Sequence, residues 1–343
     1  MEKTAAHKMT MSRSHLMTLL LGALALGFFI GSGMVGLLSP LQTERSDEIA
    51  LTREGAFRFI RTSTETNNAA GQPAKELKPF RYKINDLLDE RLHTGVVASA
   101  AVYFRDLNNG NWIGINEREI FSSKILLKLP LMIAYFKWAE SNPLVLRRTL
   151  TLAAGAPGER VPEGSPSPIE PGKPSSVNDL IFRMIAYDDD SAYTLLRANI
   201  PNQRLDRVFK DLNVEYNPRD EADSLSVRGY ASFYRVLFNS SYLSEEMSEK
   251  ALRYLSKSSF RAGMASGIPA NIDIASKFGK RLVTVAEHGE ERELYQLHEY
   301  GIIYHPHRPF LLGIMVRGDD ESALVKTIRD ITRLVYDELD QQS

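Results

Sequence analysis

Two lysines in apolar surroundings and a run of three aspartates are the groups of this chain best suited to chemistry. Lys128 opens the segment Lys128-Leu129-Pro130-Leu131-Met132-Ile133, and Lys277 is followed by Phe278 and Gly279. Between them in sequence stand Asp188, Asp189 and Asp190. A lysine polarises a hydroxyl that sits three residues earlier on the same helical face. Three residues before Lys128 stands Ile125, whose alkyl group cannot attack a carbonyl. No lysine after residue 38 has a serine at that spacing, and Ser122 and Ser123 fall beside Lys128 on no helical register. The charges then have two readings, a structural cluster or a ligand-binding set, because a buried unpaired ammonium is costly. Octahedral oxygen sites draw ligands from several directions, so three successive aspartates make a poor metal site. His298, His305 and His307 raise the same question, but His305-Pro306-His307-Arg308-Pro309 reads as a hairpin turn with exposed rings. Neither a metal nor a cofactor is expected.

The elements that must position these groups follow from periodicity. Leu77, Phe80, Ile84, Leu88 and Leu92 share one helical face from residue 76 onward. Residues 95–106 read as a strand, and Asn108-Asn109-Gly110 turns it into a second strand, Trp112-Ile113-Gly114-Ile115. A long apolar helix is expected over 125–140 and a loop over 153–174, after which Ser176 caps a helix running to Tyr187. Further helices are expected at 190–198, 202–212, 226–239 and 244–256. Strands return at 272–278, 300–305 and 310–316, and a helix closes the chain from 322 to about 339. Strands at both ends around a helical middle predict a mixed α/β (α+β) fold. Its antiparallel sheet would join N- and C-terminal strands, be flanked by helices and carry an inserted all-α lobe.

This order, and several motifs within it, resembles the class A β-lactamases and the wider penicillin-recognising serine hydrolases over roughly residues 79–343. The resemblance rests on residues 103–112, on residues 128–133 and on Ile169-Glu170-Pro171-Gly172-Lys173 before the capped helix. It rests also on three motif positions: Ile125 to Lys128, Asp188 to Asp190, and Lys277 to Gly279. In that family a serine nucleophile precedes the lysine by three residues, and here that position is Ile125. The second motif is Ser-Asp-Asn. Asp189 matches its structural aspartate, whereas Asp188 and Asp190 replace the two groups that relay a proton and bind the substrate amide. The third motif is Lys-Thr-Gly or Lys-Ser-Gly, so Phe278 replaces a hydroxyl while Lys277 and Gly279 match. Two backbone N–H groups, at Ile125 and Lys280, would form the oxyanion hole. A deacylating glutamate three residues before Leu212-Asn213 is absent, since that position is Phe209. Glu215, Asp220, Glu221 and Asp223 follow, in a run whose default reading is solvated charge. The resemblance further implies that the two lysines converge on one cleft, with Lys128 near Asp190 and Lys277 near Asp188.

Composition limits what remains. The net charge of −1 and the lack of a basic block argue against nucleic acid as a partner, and the absence of cysteine excludes disulfides and thiolate chemistry. Residues 16–38 form an uncharged apolar run, preceded by Lys3, Lys8 and Arg13 and followed by Glu44, Asp47 and Glu48. At 1.5 Å per residue it is long enough for the roughly 30 Å of a bilayer core. The charge bias keeps residues 1–15 cytoplasmic and exports the rest. A cleaved signal peptide is the competing reading, although its apolar core is normally only about 7–15 residues. Residues 39–75 then form a tether, within which a short strand at 56–60 is possible, and 76–343 form the β-lactamase-like domain. The expected protein is a membrane-anchored extracytoplasmic domain without acyl-enzyme chemistry. It would bind or scaffold at the cell envelope, with a β-lactam or a peptidoglycan-like peptide as candidate ligand. An active β-lactamase or D-Ala-D-Ala peptidase with an unrecognised nucleophile, and a purely structural ectodomain, are the alternatives.

Overall fold

Phe80, Ile84 and Leu88 recur at helical spacing and are buried along α1 (Lys78–His93), whereas Leu92 at its end is exposed. The computed structural model describes residues 57–61, 78–122, 124–153, 167–216, 224–287 and 290–342, with backbone alone at 124, 125, 224, 286, 287 and 290. After α1 come β1 (Ser99–Asp106) and β2 (Trp112–Ile115). The turn between them closes because the Asp106 carboxylate accepts the N–H groups of Asn108 at 2.8 Å and Asn109 at 3.2 Å, and Gly110 supplies a φ of +77°. A short β3 (Ile120–Ser122) leads to a 3-10 turn, Lys124–Leu127, and then to α2 (Lys128–Ser141). The expected helix thus begins as a tighter turn, and Pro130 sits in the first α-helical turn, where its missing N–H costs nothing.

The helical lobe follows: β4 (Thr149–Thr151), β5 (Pro174–Ser176), α3 (Val177–Ala186), α4 (Asp190–Ala198), α5 (Asn202–Asp211), β6 (Ser224–Ser226), α6 (Val227–Phe238) and α7 (Glu245–Leu255). Side-chain oxygens cap four of these helix starts. Ser176, Asp189, Ser226 and Ser244 accept N–H groups of Asp179, Ala192, Gly229 and Met247. The lobe closes around α2, buried from Lys128 through Phe136.

The chain ends with β7 (Ile274–Glu287), β8 (Glu290–Ile303), β9 (Phe310–Gly318) and α8 (Glu321–Gln341). The sheet order is β2-β1-β9-β8-β7, antiparallel at each pairing, so the N- and C-terminal strands meet at β1–β9 from Ser99↔Arg317 to Asp106↔Phe310. This corrects the expected strands at 272–278 and 300–305, which are parts of one long hairpin. β9 pairs with β8 only from Tyr295 onward, so the far half of the β7–β8 hairpin is a two-stranded ribbon. With no third strand beside it, it carries charge where buried strands carry apolar alternation. The core on one sheet face joins α1 and α8 through Ile84, Leu88, Phe104, Phe310, Ile328 and Val335.

These elements belong to one unit, Phe59–Ser343. Two residues of the stretch read as a tether, Phe59 and Arg61, hydrogen-bond to elements of this unit. The Phe59 N–H donates to Glu249 at 2.8 Å, the Tyr304 hydroxyl to the Phe59 carbonyl at 2.9 Å, and the Arg61 N–H to the Phe238 carbonyl at 2.7 Å. They form no strand. Among the described residues no helix is long and apolar enough to cross a membrane. The run 16–38, residues 1–15 and most of 39–75 lie outside the described residues.

Candidate functional site

Lys128 enters the site from the first residue of α2, Lys277 from β7, and Asp188 from the turn between α3 and α4. Asp188 has a φ of +59°, a left-handed conformation that aspartate tolerates better than most residues, and it turns both its carbonyl and its carboxylate onto the lysines. The Lys128 Nζ donates to the Asp188 carbonyl at 2.8 Å, to Asp188 Oδ1 at 2.9 Å and to Asp190 Oδ1 at 2.6 Å. Those contacts match the number of N–H groups an ammonium has. Lys277 Nζ also pairs with Asp188 Oδ1, and it donates to the Phe278 carbonyl at 3.1 Å. Both expected pairs, Lys128 with Asp190 and Lys277 with Asp188, are present, and the added contact from Lys128 turns Asp188 into a bridge. Asp188 serves both lysines, whose side chains are 3% and 6% exposed, while Asp190 assists Lys128 from a position 67% exposed.

The electrostatics follow from that bridge. Burial by itself pulls the Lys128 ammonium down, but the carboxylates of Asp188 and Asp190 outweigh it and leave its pKa above the ordinary value. Burial would raise the Asp188 carboxyl, yet Lys277 and Lys128 outweigh that and hold it below the ordinary value. Lys277 goes the other way: burial lowers it and Asp188 only partly compensates, with Lys128 adding repulsion. Asp189 stands apart from these three. It caps α4 by accepting the Ala192 N–H at 2.9 Å and pairs with Arg183 at 2.9 Å, a partner that sequence reasoning missed because the two lie six residues apart across a turn.

Strand alternation sorts the third motif. Lys277, Gly279 and Arg281 lie opposite Tyr300, His298 and Gln296 on the face toward the lysine cluster. Phe278 belongs to the opposite face. Its ring stacks on Phe260 at 3.6 Å between centroids and joins the core. Beside it, Ser276 donates to the buried Glu299 at 3.2 Å, and Met264 N–H donates to the same carboxyl at 2.9 Å. Burial nonetheless pushes Glu299 up to about 7. On the site face, His298 is buried and its Nδ1 has no hydrogen-bond partner among the described residues. Burial, reinforced by Lys277, lowers it to about 3, so the ring is neutral at physiological pH. The exposed-histidine expectation holds for His307 but is corrected for His305, whose ring is buried against Tyr336 and lies 3.5 Å from Asp340.

Ile125 lies in the 3-10 turn immediately before α2, and its side chain is outside the described residues. Lys280 sits in β7, the strand against which that turn packs, opposite Leu297, with its ammonium 2.6 Å from Glu321. Of the nearby hydroxyls, Ser123 is outside the described residues, and the Ser122 Oγ accepts from Arg281 at 2.6 Å. At the position where a deacylating acid was sought, Phe209 is buried and stacks on Tyr216 at 4.0 Å. Glu215 is exposed, and Asp220, Glu221 and Asp223 lie outside the described residues.

A sequence profile described as "Beta-lactamase enzyme family" matches residues 79–339. No curated protein matches the chain. Among solved structures, it is similar to a mutant of PBP-A solved as an acyl-enzyme complex with penicillin G. That pair has 18% identity and a TM-score of 0.64, and the match covers 79% of this chain and all of that one. A β-lactamase from Xanthomonas campestris shows 17% identity and a TM-score of 0.63, over 76% of this chain and 98% of the other. A class A β-lactamase from Mycobacterium abscessus shows 16% identity and a TM-score of 0.62, over 76% and 99%. At these identities the likeness to the solved structures is one of fold.

Proposed function

The chain belongs to the β-lactamase enzyme family, and from that premise we propose that it is a member without hydrolytic activity, a binding or scaffolding domain held at the membrane. One observation carries this reading. The lysine that would activate a serine has Ile125 at the nucleophile position, and its three strong acceptors all come from Asp188 and Asp190. Acyl transfer needs an oxygen nucleophile and a group able to take its proton. An ammonium stabilised by two carboxylates has no lone pair to offer. Asp188 and Asp190, when ionised, accept hydrogen bonds but donate none, so they supply neither a proton relay nor an amide donor.

Binding makes smaller demands. Backbone N–H groups at Ile125 and Lys280 are independent of side-chain identity, so they offer a carbonyl of a β-lactam or a peptidoglycan-like peptide two donors without cutting it. Residues 16–38 are proposed as an uncleaved anchor with the domain outside, and protease added to spheroplasts should then release the domain. A mature N-terminus after residue 38 would show cleavage instead. The activity is tested by incubating the purified domain with a fluorescent penicillin and measuring the intact mass. We expect no covalent adduct and no turnover of a chromogenic cephalosporin. A mass gain of one antibiotic would identify an active enzyme with another nucleophile.

A further inference from the structure

Away from the lysine cluster, a pocket of about 780 Å³ opens between the β2–β3 connection, the described start of the loop after α5 and the first turns of α6. Its wall carries Arg118, Arg228 and Arg235, and Arg105 lies behind Arg235 on β1. Arginines in such numbers are normally matched by carboxylates. Arg105, Arg228 and Arg235 make no ion pair among the described residues. Neutral groups hold them instead. Arg228 lies over the Trp112 ring at 4.8 Å, Trp112 stacks on Tyr103 at 6.2 Å, and Arg105 donates to the Tyr103 hydroxyl at 3.5 Å. Arg235 reaches toward the same hydroxyl.

Such supports orient guanidiniums without neutralising them. Burial lowers the pKa of Arg235, repulsion from Arg105 and Arg228 lowers it further, and the Tyr103 hydroxyl offsets only part of this. The opposing groups are few. Among the described residues Glu215, in the lining, makes no ion pair, and Glu117 pairs with Arg118 alone, at 3.9 Å. The first N–H groups of α6 are already used, Arg228 N–H by the Glu117 carbonyl and Gly229 N–H by Ser226, so recognition falls to the side chains.

We propose that this pocket binds a multivalent oxyanion, a phosphoryl or pyrophosphoryl group, clamped by Arg228 and Arg235 with Arg105 behind them. Three uncompensated guanidiniums exceed what one carboxylate neutralises, and their planar forks match phosphate oxygens.

The test is isothermal titration of the full-length chain in a neutral detergent with inorganic pyrophosphate, in magnesium-free buffer. Saturable binding is expected, weakened at least about tenfold for each guanidinium removed in Arg228→Gln and Arg235→Gln. Pyrophosphate should also raise the melting temperature of the wild type but not of the double variant. Without anion, Arg235→Gln should melt at or above the wild-type temperature, because it relieves repulsion. Competition by micellar phosphatidylglycerol identifies a lipid headgroup as the source of the phosphoryl group, and its failure identifies a soluble ligand. No saturable binding, binding unchanged in the double variant, or equal affinity for citrate would overturn the assignment. So would a lower melting temperature for Arg235→Gln, which would reveal a structural role. Absence of binding would also result if Asp220, Glu221 and Asp223 supplied the counter-charge, and that too counts against it.

Discussion

Asp188→Asn removes one negative charge and little else. Asparagine keeps the side-chain shape, tolerates the φ of +59° and leaves the backbone carbonyl in place to accept from Lys128. The loss falls unequally on the two lysines. Lys128 keeps Asp190 at 2.6 Å, whereas Lys277, 6% exposed, loses its carboxylate partner and is left with neutral acceptors, the Phe278 carbonyl and the new amide oxygen. Stranding a buried charge costs about 3–5 kcal/mol. Asp188 is itself 39% exposed, so water replaces part of what is lost, and we expect about 2–3 kcal/mol. Asp190→Asn, at a side chain 67% exposed, should cost no more than about 1 kcal/mol. Lys277→Met combined with Asp188→Asn removes the stranded ammonium and should recover most of the loss. The assay is urea unfolding of residues 57–343 at pH 7, followed by tryptophan fluorescence. The sign of the pH dependence is fixed by the depressed Asp188 carboxyl. Its contribution is full above the ordinary value of 3.8 and disappears as pH falls through the lower folded value, so wild type and Asp188→Asn should converge in strong acid. A cost for Asp188→Asn below about 0.5 kcal/mol, or a larger cost for Asp190→Asn, would refute the bridge as a stabilising element.

Glu299 titrates at about 7 in the fold against an ordinary 4.5, so its protonated form favours folding. The stability it lends is full below 4.5 and is lost as pH rises through about 7, a change of about 3 kcal/mol at about 1.36 kcal/mol per pH unit. Glu299→Gln should flatten that loss between pH 4 and pH 8, and an unchanged difference from wild type across the range would contradict it. Phe278→Thr restores the family's hydroxyl but removes a ring stacked in the core. It should cost about 2–4 kcal/mol in unfolding measurements and bring no gain in penicillin labelling. Ile125→Ser should not restore cephalosporin hydrolysis, since Lys128 stays an ammonium and the relay groups remain aspartates; robust turnover would show that the rest of the site is intact.

Local signals were the legible ones. The apolar ladder of α1, the Asn-Asn-Gly turn, the Ser176 cap and the motif positions are set within a few residues, and family resemblance supplied the long-range convergence of Lys128, Asp188 and Lys277. What stayed hidden depends on neighbours distant in sequence. His305 sits in a Pro-flanked turn that signals exposure, and it is buried because Tyr336 on α8 folds over it. The far half of the β7–β8 hairpin lacks apolar alternation because no third strand among the described residues pairs with it and its residues are mostly exposed or half-buried. Phe278 was readable from strand alternation alone, since a neighbour of Lys277 must face the other way, but motif comparison drew attention to its lost hydroxyl instead. The arginine pocket escaped because Arg105, Arg118, Arg228 and Arg235 come from separate segments.

Among the described residues β7 hydrogen-bonds to a strand on one side only, and it runs for 14 residues. An outer strand of that length is a template for another chain to add itself. Lys280 and Arg281 lie near its middle, turned to opposite faces of the sheet. Two copies meeting antiparallel about this point would set cation against cation, which disfavours the pairing. These two residues thus serve solubility, and replacing both with apolar β-formers would invite self-assembly along the strand.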